Sequence, residues 1–318
     1  MKSMWTRTSD IGMLLDLVGS PRGIHFAGDT AQCISKDALF RFANARTLFY
    51  ERFSLQTSSS GELKPELLPL SHNYRSHKHI LSVASLVMYL LYRGFPGLVD
   101  ELPPEVGDRP GPKPTLYVGS NIIDVLRFGE KLETPQEPDS QSGRFNEYGE
   151  ARVILVRDEE TCDKLQAALG RSSLVLTILE SKGMEFDDVF LYDFLSTSPY
   201  SHKLSVLEEL FKRGHHTGLG SEHNASTYQR SHEDWVGENI VLCSELKHLY
   251  VGVTRARSRL WILESNTSIL DPVQRLFNQT ATLLLPRQYP TPILEILEEQ
   301  HIGVCPKHGL DFRLDYRP

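Results

Sequence analysis

Seven short apolar runs, separated by helical patterns, recur along the chain. They cover Ile24–Ala27, Leu67–Leu70, Thr115–Val118, Val153–Val156, Leu174–Ile178, Val189–Tyr192 and Leu260–Leu263. Apolar runs without alternation are typical of strands in a parallel sheet that is covered on both faces, whereas half-exposed strands alternate apolar and polar residues. The pattern therefore predicts an α/β fold with a parallel sheet between layers of helices.

Four segments have the three- and four-residue apolar spacing of helices that bury one face. The clearest runs from His77 to Tyr92 and ends before Gly94 and Pro96, two residues that terminate helices. The other three predicted helices are Met13–Val18, Glu160–Leu169 with Gly170 at its end, and Ser244–Arg255.

Three polar stretches interrupt this pattern, at 94–114, 134–149 and 196–239. The first is rich in Pro and Gly, the second is polar and acidic, and the third holds five histidines, so we predict loops or insertions. The histidine spacing matches no set of metal ligands, and the four cysteines form no Cys-x-x-Cys pair. We therefore predict no metal site and no disulfide framework.

Composition narrows the class of protein. The 318 residues are 40% hydrophobic and 24% charged, with a net charge of −7, which is typical of a globular protein rather than a disordered chain. The acidic excess argues against nucleic-acid binding by bulk charge, although it leaves a local basic groove open. The apolar stretch Leu86–Tyr92 is too short to span a membrane and no secretory signal is visible, so we expect a nuclear or cytoplasmic protein without a membrane partner.

Two polar clusters follow the first two predicted strands. Asp29 and Gln32 come just after the first strand, at the carboxyl end where open α/β sheets bind ligands. Tyr74 and Arg75 follow the second strand, and they combine an aromatic face for stacking with a guanidinium suited to phosphate. A structural explanation also exists for each cluster, because a Gly-Asp turn needs no ligand and Ser76 is a suitable cap for the next helix.

Two more clusters lie in the second half of the chain. Between two predicted strands, Gly183 allows backbone N–H groups to approach a phosphate, and Glu185 offers an acceptor to a ribose hydroxyl. A salt-bridged loop explains these residues equally well. The last cluster ends in basic residues that include Arg255, and cations at a helix C-terminus are favoured even without a ligand.

The order and spacing of the four clusters together resemble the later motifs of superfamily 1 helicases of the UvrD/Rep type. The matching phrases are Gly-Asp-x-x-Gln, Asn-Tyr-Arg-Ser, Thr-x-x-x-Ser-Lys-Gly-x-Glu-Phe and Leu-Tyr-Val-x-x-Thr-Arg-Ala, from about Ile24 to Leu263. The first phrase and Phe40-Arg41-Phe42 are most similar to eukaryotic helicase-like proteins that carry TPR and ankyrin repeats, although no such repeats are visible. The resemblance implies a three-layer, RecA-like α/β domain, and we expect the four clusters to converge beside one parallel sheet.

The resemblance also implies a nucleotide site. Arg75 and Arg255 would reach the γ-phosphate as arginine fingers, and Gln32 would sense the same phosphate, which makes these three the implied catalytic residues. The other implied nucleotide-binding residues are Tyr74 against adenine, Glu185 on the ribose, Asp29 and Gly183.

Single-stranded DNA or RNA is the partner that the resemblance implies. It would contact Thr177, Ser181 and Lys182, and its bases would stack on Phe40 and Phe42. One position departs from the family, because Leu179 stands where a histidine usually follows the motif threonine, and this removes a polar contact to the strand.

A larger departure is the absence of a phosphate loop of the form Gly-x-x-x-x-Gly-Lys-Ser/Thr and of a strand ending in paired acids. In the family both precede the Gly-Asp-x-x-Gln phrase, and they hold the triphosphate and Mg²⁺. We therefore expect ATP and Mg²⁺ to be cofactors of the complete enzyme only. Neither should bind tightly to this chain, which should hydrolyse no ATP without an N-terminal motor half.

The predicted organisation has three parts. Residues 1–64 are the remnant of a first RecA-like domain, residues 65–265 form the second with insertions near 94–150 and 196–239, and residues 266–318 are a C-terminal appendage. Two functions stay open: the C-terminal half of a UvrD-like helicase or translocase, or a truncated, non-enzymatic module that binds nucleic acid or acts as a scaffold.

Overall fold

The computed structural model describes residues 8–18, 24–34, 41–53, 65–119, 122–123, 126, 151–170, 173–207 and 225–266. The chain divides into two compact units. The helical unit comprises residues 1–109 and 209–254, and the sheet unit comprises residues 110–208 and 255–318. The boundaries at residues 64 and 265 inferred from the sequence stay predictions.

The sheet unit contains a five-stranded parallel sheet. Its strands are β1 (Thr115–Val118), β2 (Arg152–Val156), β3 (Val175–Thr177), β4 (Phe186–Tyr192) and β5 (Ala256–Glu264), in the order β1-β5-β4-β2-β3. Every neighbouring pair is parallel. The predicted α/β class with a parallel sheet is confirmed, as are the five predicted strands of this half of the chain.

The sheet is held by an apolar core and by one buried ion network. Every residue of β2 is buried, as expected for an inner strand of a parallel sheet. Arg152 on β2 lies 3.5 Å from Asp188 on β4, and Arg259 on β5 donates two 2.6 Å hydrogen bonds to the same carboxylate. These bonds connect β2, β4 and β5. Arg152 and Asp188 are both nearly inaccessible to solvent, so the network lies inside the protein.

One helix of the sheet unit was predicted almost to the residue. Helix α4 (Glu159–Leu169) begins at Asp158, whose carboxylate accepts a 2.8 Å hydrogen bond from the backbone N–H of Thr161. It ends at Gly170, whose φ of +96° lies in the region that favours glycine. Leu165 packs against the sheet core beside Ile154 and Val175.

The helical unit contains α1 (Thr8–Leu17), α2 (Phe42–Phe53), α3 (Lys78–Gly94) and α5 (Ala225–Val253). Helices α1 and α2 share a small apolar core that includes Ile11, Leu15 and Phe49. Helix α3 packs against α5 and buries the apolar face that its sequence predicts. None of the described helices is long and apolar enough to cross a bilayer.

Two predicted strands are absent. Residues 24–26 and 65–70 belong to no strand, and only Ala27 takes part in an isolated bridge. An apolar run favours extended backbone, but a strand also needs a hydrogen-bonded neighbour, and no described segment forms a ladder with either run. Leu68 and Leu70 are accordingly 71% and 91% exposed.

Two further segments differ from the expected secondary structure. Residues 225–239, expected to be a loop or a solvated insertion, form the first half of α5. That they are an insertion stays a prediction, and 134–149 lie outside the described residues. The N-cap of α3 is His77 rather than Ser76, because the His77 ring accepts a 3.3 Å hydrogen bond from the backbone N–H of His79.

Candidate functional site

Asp29 organises the first polar cluster. It caps the 3₁₀ turn Thr30–Gln32, where its carboxylate accepts 2.9 Å hydrogen bonds from the backbone N–H of Ala31 and from the Gln32 amide. Burial raises the pKa of Asp29, and these two hydrogen bonds oppose that rise. The Gln32 side chain is therefore oriented by Asp29.

Glu105 and Tyr250 extend this cluster. The Tyr250 hydroxyl donates a 3.1 Å hydrogen bond to Glu105, and the Asp29 carboxylate lies near the same hydroxyl. Tyr250 is only 3% exposed. Burial raises its pKa well above the usual value, and the two nearby carboxylates add to that rise, so the hydroxyl keeps its proton and remains a donor.

Asn73 shapes the turn that presents Tyr74 and Arg75. Its side-chain oxygen accepts 2.9 Å hydrogen bonds from the backbone N–H groups of Arg75 and Ser76, the geometry of an Asx turn. Its amide nitrogen donates to Glu105 at 2.5 Å. The Asn73 turn and the Asp29 cluster are thus linked through Glu105.

The side chains of Tyr74 and Arg75 differ in exposure and in hydrogen bonding. Tyr74 is 80% exposed, with the His72 ring 4.4 Å from its own. Arg75 is half-buried and donates a 3.4 Å hydrogen bond to the carbonyl of Thr254. The first side chain can stack on a planar ligand, and the second is held at the C-terminal end of α5.

The loop after β3 is tied together by its own polar groups. The backbone N–H and the hydroxyl of Thr177 each donate a 2.8 Å hydrogen bond to Glu180. The Ser181 hydroxyl donates to the carbonyl of Ile178 at 2.8 Å. Thr177, Ser181 and Lys182 are all buried, whereas Leu179 and Met184 are 42% and 47% exposed.

Three predicted nucleotide-binding residues lie just before the first residues of β4 and β5. Gly183 has a φ of +91°, which explains why glycine occupies this turn. Glu185 is exposed and faces Arg257 at 3.7 Å. Arg255 is only 1% exposed, and its guanidinium donates a 3.0 Å hydrogen bond to the carbonyl of Met184.

The four clusters are divided between the two units. Asp29, Gln32, Tyr74 and Arg75 belong to the helical unit, while Thr177, Ser181, Lys182, Gly183, Glu185 and Arg255 fall in the sheet unit. That the four clusters converge beside one parallel sheet stays a prediction. Phe42 packs against the α1–α2 core, and Phe40 lies outside the described residues.

The described residues fit a nucleotide better than a metal ion. Tyr74 supplies an open aromatic face and Arg75 a guanidinium, the groups that bind bases and phosphates. Among the residues with described side chains, no group of three His, Cys, Asp or Glu could hold a metal ion. Octahedral Mg²⁺ therefore has no ligand set there.

Sequence reasoning missed three residues of this site. Asn73 and Tyr250 stand inside the matched phrases without a predicted role, and Glu105 belongs to the loop rich in Pro and Gly at 94–114. Their contacts span 32 and 145 residues, a separation at which sequence patterns carry no signal. A buried tyrosine hydroxyl that needs an acceptor is the one hint available.

Comparisons with known proteins bear on the resemblance. Residues 120–267 match the UvrD-like helicase C-terminal domain. The human TPR and ankyrin repeat-containing protein 1 is 32% identical over 292 residues, which cover 85% of this chain and 9% of the relative. The chain thus spans about a tenth of the length of this relative.

A solved structure was also found. It is the C-terminal domain of a possible DNA helicase from Lactobacillus plantarum WCFS1, at 14% identity and a TM-score of 0.33, covering 62% of this chain and 96% of that one. The resemblance to helicases, and to the repeat-containing eukaryotic proteins in particular, rests on the first two matches. It is confirmed by the match of residues 120–267 to the UvrD-like helicase C-terminal domain.

Proposed function

We propose that this chain is the C-terminal half of an ATP-dependent helicase or translocase motor. One observation carries the proposal, namely the turn in which Asn73 fixes the backbone of Arg75 and Ser76 while Tyr74 projects into solvent. A large aromatic side chain that is 80% exposed next to an anchored guanidinium is suited to a base and a phosphate of one nucleotide.

Arg75 and Arg255 enter this proposal differently. Arg75 is half-buried at the end of α5, so a small side-chain movement gives its guanidinium access to a phosphate. Arg255 is fully buried with its guanidinium on the Met184 carbonyl. It would act as an arginine finger only after leaving that carbonyl.

ATP turnover requires groups that these residues do not include. The phosphate loop and the carboxylates that bind Mg²⁺ come, in this proposal, from an N-terminal motor half. When bound, the metal would neutralise charge on the transferred phosphoryl group. Tyr74, Gln32 and Arg75 would position the nucleotide against it, with Asp29 holding Gln32 in place.

The nucleic-acid surface is narrower than the sequence suggests. The burial of Thr177, Ser181 and Lys182 favours a role in shaping the loop, with the exposed side chains of Leu179 and Met184 contacting single-stranded DNA or RNA. The exposed hydrophobic side chains of Leu179 and Met184 can pack on a base. The buried polar groups of the loop keep it rigid.

A binding experiment tests the nucleotide site. Titration of the chain with a fluorescent ATP analogue should give saturable binding that Tyr74→Ala weakens about 5- to 150-fold, since stacking contributes about 1–3 kcal/mol. Tyr74→Phe keeps the ring and should bind like the wild type. Tyr50→Ala, at an exposed tyrosine of α2, is the matched control. Equal binding by wild type and Tyr74→Ala contradicts the proposal.

A second experiment tests the motor itself. In a longer form that includes a phosphate loop, ATP hydrolysis should be stimulated by single-stranded nucleic acid and abolished by Arg75→Ala. Circular dichroism should show unchanged folding, because a half-exposed charge contributes about 0–1 kcal/mol. Loss of folding together with activity would assign Arg75 a structural role instead.

A further inference from the structure

A cavity of about 370 Å³ lies in the helical unit. Its walls are mostly apolar and come from one face of α3 and from the loop after it, and they include Leu81, Met88, Leu102 and Pro103. This volume falls in the range of pockets that bind small molecules. The cavity is a different feature from the exposed Tyr74 ring, which is not among the residues that line it.

The walls also carry two carboxylates, Asp29 and Glu105, and the hydroxyls of Ser85, Tyr89, Tyr92 and Tyr250. The Tyr250 hydroxyl donates a hydrogen bond to Glu105. Because a hydroxyl is neutral, it does not offset the charge of the two carboxylates. The two carboxylates also repel each other. No described Lys or Arg forms a salt bridge with Asp29 or Glu105, since the described ion pairs involve other acids.

These groups select the chemistry of a ligand. Phosphates and carboxylic acids are repelled by two carboxylates in an apolar surrounding. A hard metal ion requires about six oxygen ligands, which two carboxylates and apolar walls do not provide. An ammonium group would relieve the repulsion between Asp29 and Glu105, and an apolar body attached to it would fill the rest of the space.

We propose that this cavity is a binding site for a small organic amine, with the ammonium group between Asp29 and Glu105 and an apolar body along α3. Glu105 also accepts from Asn73, which shapes the Tyr74 turn. Bound amine would therefore contact Glu105, the hydrogen-bond partner of the residue that shapes this turn. The proposal does not depend on nucleotide turnover.

The experiment uses 4-phenylbutylamine and its neutral counterpart 4-phenylbutanol as probes on the chain labelled with ¹³C-methyl methionine. Met88 lines the cavity, whereas Met13 and Met184 are exposed elsewhere and serve as internal controls. The amine should shift the Met88 methyl signal saturably and bind at least tenfold more tightly than the alcohol. In Glu105→Gln, whose amide oxygen still accepts from Tyr250, the two probes should bind within about twofold of each other.

Three results would overturn the proposal. They are no shift of Met88 with the amine, equal affinity of the wild type for amine and alcohol, or an unchanged preference in Glu105→Gln. The comparison of two probes on the wild type needs no variant, so it stands even if Glu105→Gln folds poorly. Binding of the fluorescent ATP analogue reports separately on Tyr74.

Discussion

Replacing Glu264 by Gln should destabilise the sheet unit and change how its stability depends on pH. Glu264 is the last residue of β5 and is fully buried. Its carboxylate accepts 2.8 Å hydrogen bonds from the backbone N–H groups of Leu195 and Ser196 and a 2.6 Å bond from the Ser196 hydroxyl. Both of its oxygens are therefore acceptors that hold the segment after β4.

The size of the effect at about pH 4.5, where the Glu264 carboxyl of the folded protein is neutral like the Gln side chain, follows from these bonds. In Glu264→Gln one acceptor oxygen becomes an NH₂ donor, so at least one buried N–H of Leu195 or Ser196 loses its partner. An unsatisfied buried donor costs about 1–3 kcal/mol. We expect the free energy of unfolding to fall by that amount.

The pH dependence has a defined sign. Burial raises the pKa of Glu264 from 4.5 to about 7, against the opposing effect of its hydrogen bonds. The folded state consequently holds a proton that the unfolded state has lost, and stability should fall as pH rises from about 4.5 to about 7. The shift corresponds to about 3 kcal/mol over this range.

Urea unfolding followed by circular dichroism at several pH values between 4.5 and 8 measures both effects. Asp188 contributes a slope of its own, because burial also raises its pKa, to about 6, with Arg152 opposing. The difference between wild type and Glu264→Gln isolates Glu264. Glu238→Gln, at an exposed position of α5, is the control. Parallel pH profiles for wild type and Glu264→Gln would refute this reasoning.

Other substitutions test the packing of each unit by the same unfolding measurement. Asp188→Ala should cost about 3–5 kcal/mol because it leaves the buried Arg152 without its carboxylate, whereas Asp187→Ala, at a half-exposed carboxylate, should cost no more than about 1 kcal/mol. Gly107→Ala should cost about 1–3 kcal/mol, since its new methyl group would lie 2.6 Å from a side-chain atom of α3 and 3.2 Å from a backbone oxygen. Gly237→Ala, in open space on α5, should instead stabilise the protein by about 1 kcal/mol. Equal effects within either pair would contradict these assignments.

The sequence located the strands of the sheet unit but not their full length. The apolar run Leu260–Leu263 marks only the second half of β5, which begins at Ala256. Its first half contains Arg257 and Arg259, whose charges hide it from a hydrophobic pattern. Both belong in the strand because their partners, Asp187 and Asp188, lie on the neighbouring β4.

The helical unit was harder to predict, for two physical reasons. An apolar run such as Leu67–Leu70 indicates extended backbone, but pairing depends on a neighbour that the run itself does not contain. The first half of α5 is polar, and its residues Asp234, Gly237 and Glu238 are exposed. A helix with so little apolar periodicity there resembles a solvated insertion.

In the candidate site, too, the sequence predicts features that depend on neighbouring residues and misses contacts between residues far apart in the chain. The phrases that carry the family resemblance are local, and they led to Asp29, Tyr74 and Arg75. The contacts that organise these residues are not local, since Glu105 reaches Tyr250 across 145 residues. Sequence patterns therefore identified groups able to bind a nucleotide and missed the residues that hold them.

The C-terminal end of α5 connects all the polar clusters of the helical unit. Tyr250 faces Asp29 and donates to Glu105, and one turn later the Thr254 carbonyl accepts from Arg75. The Thr254 hydroxyl donates back to the Tyr250 carbonyl at 2.8 Å, which fixes the two residues relative to each other. Because groups in one hydrogen-bonded network respond together, substitutions at Tyr250 and Arg75 should be non-additive. A ligand that moves this helix end would alter the residues proposed to sense phosphate without touching them.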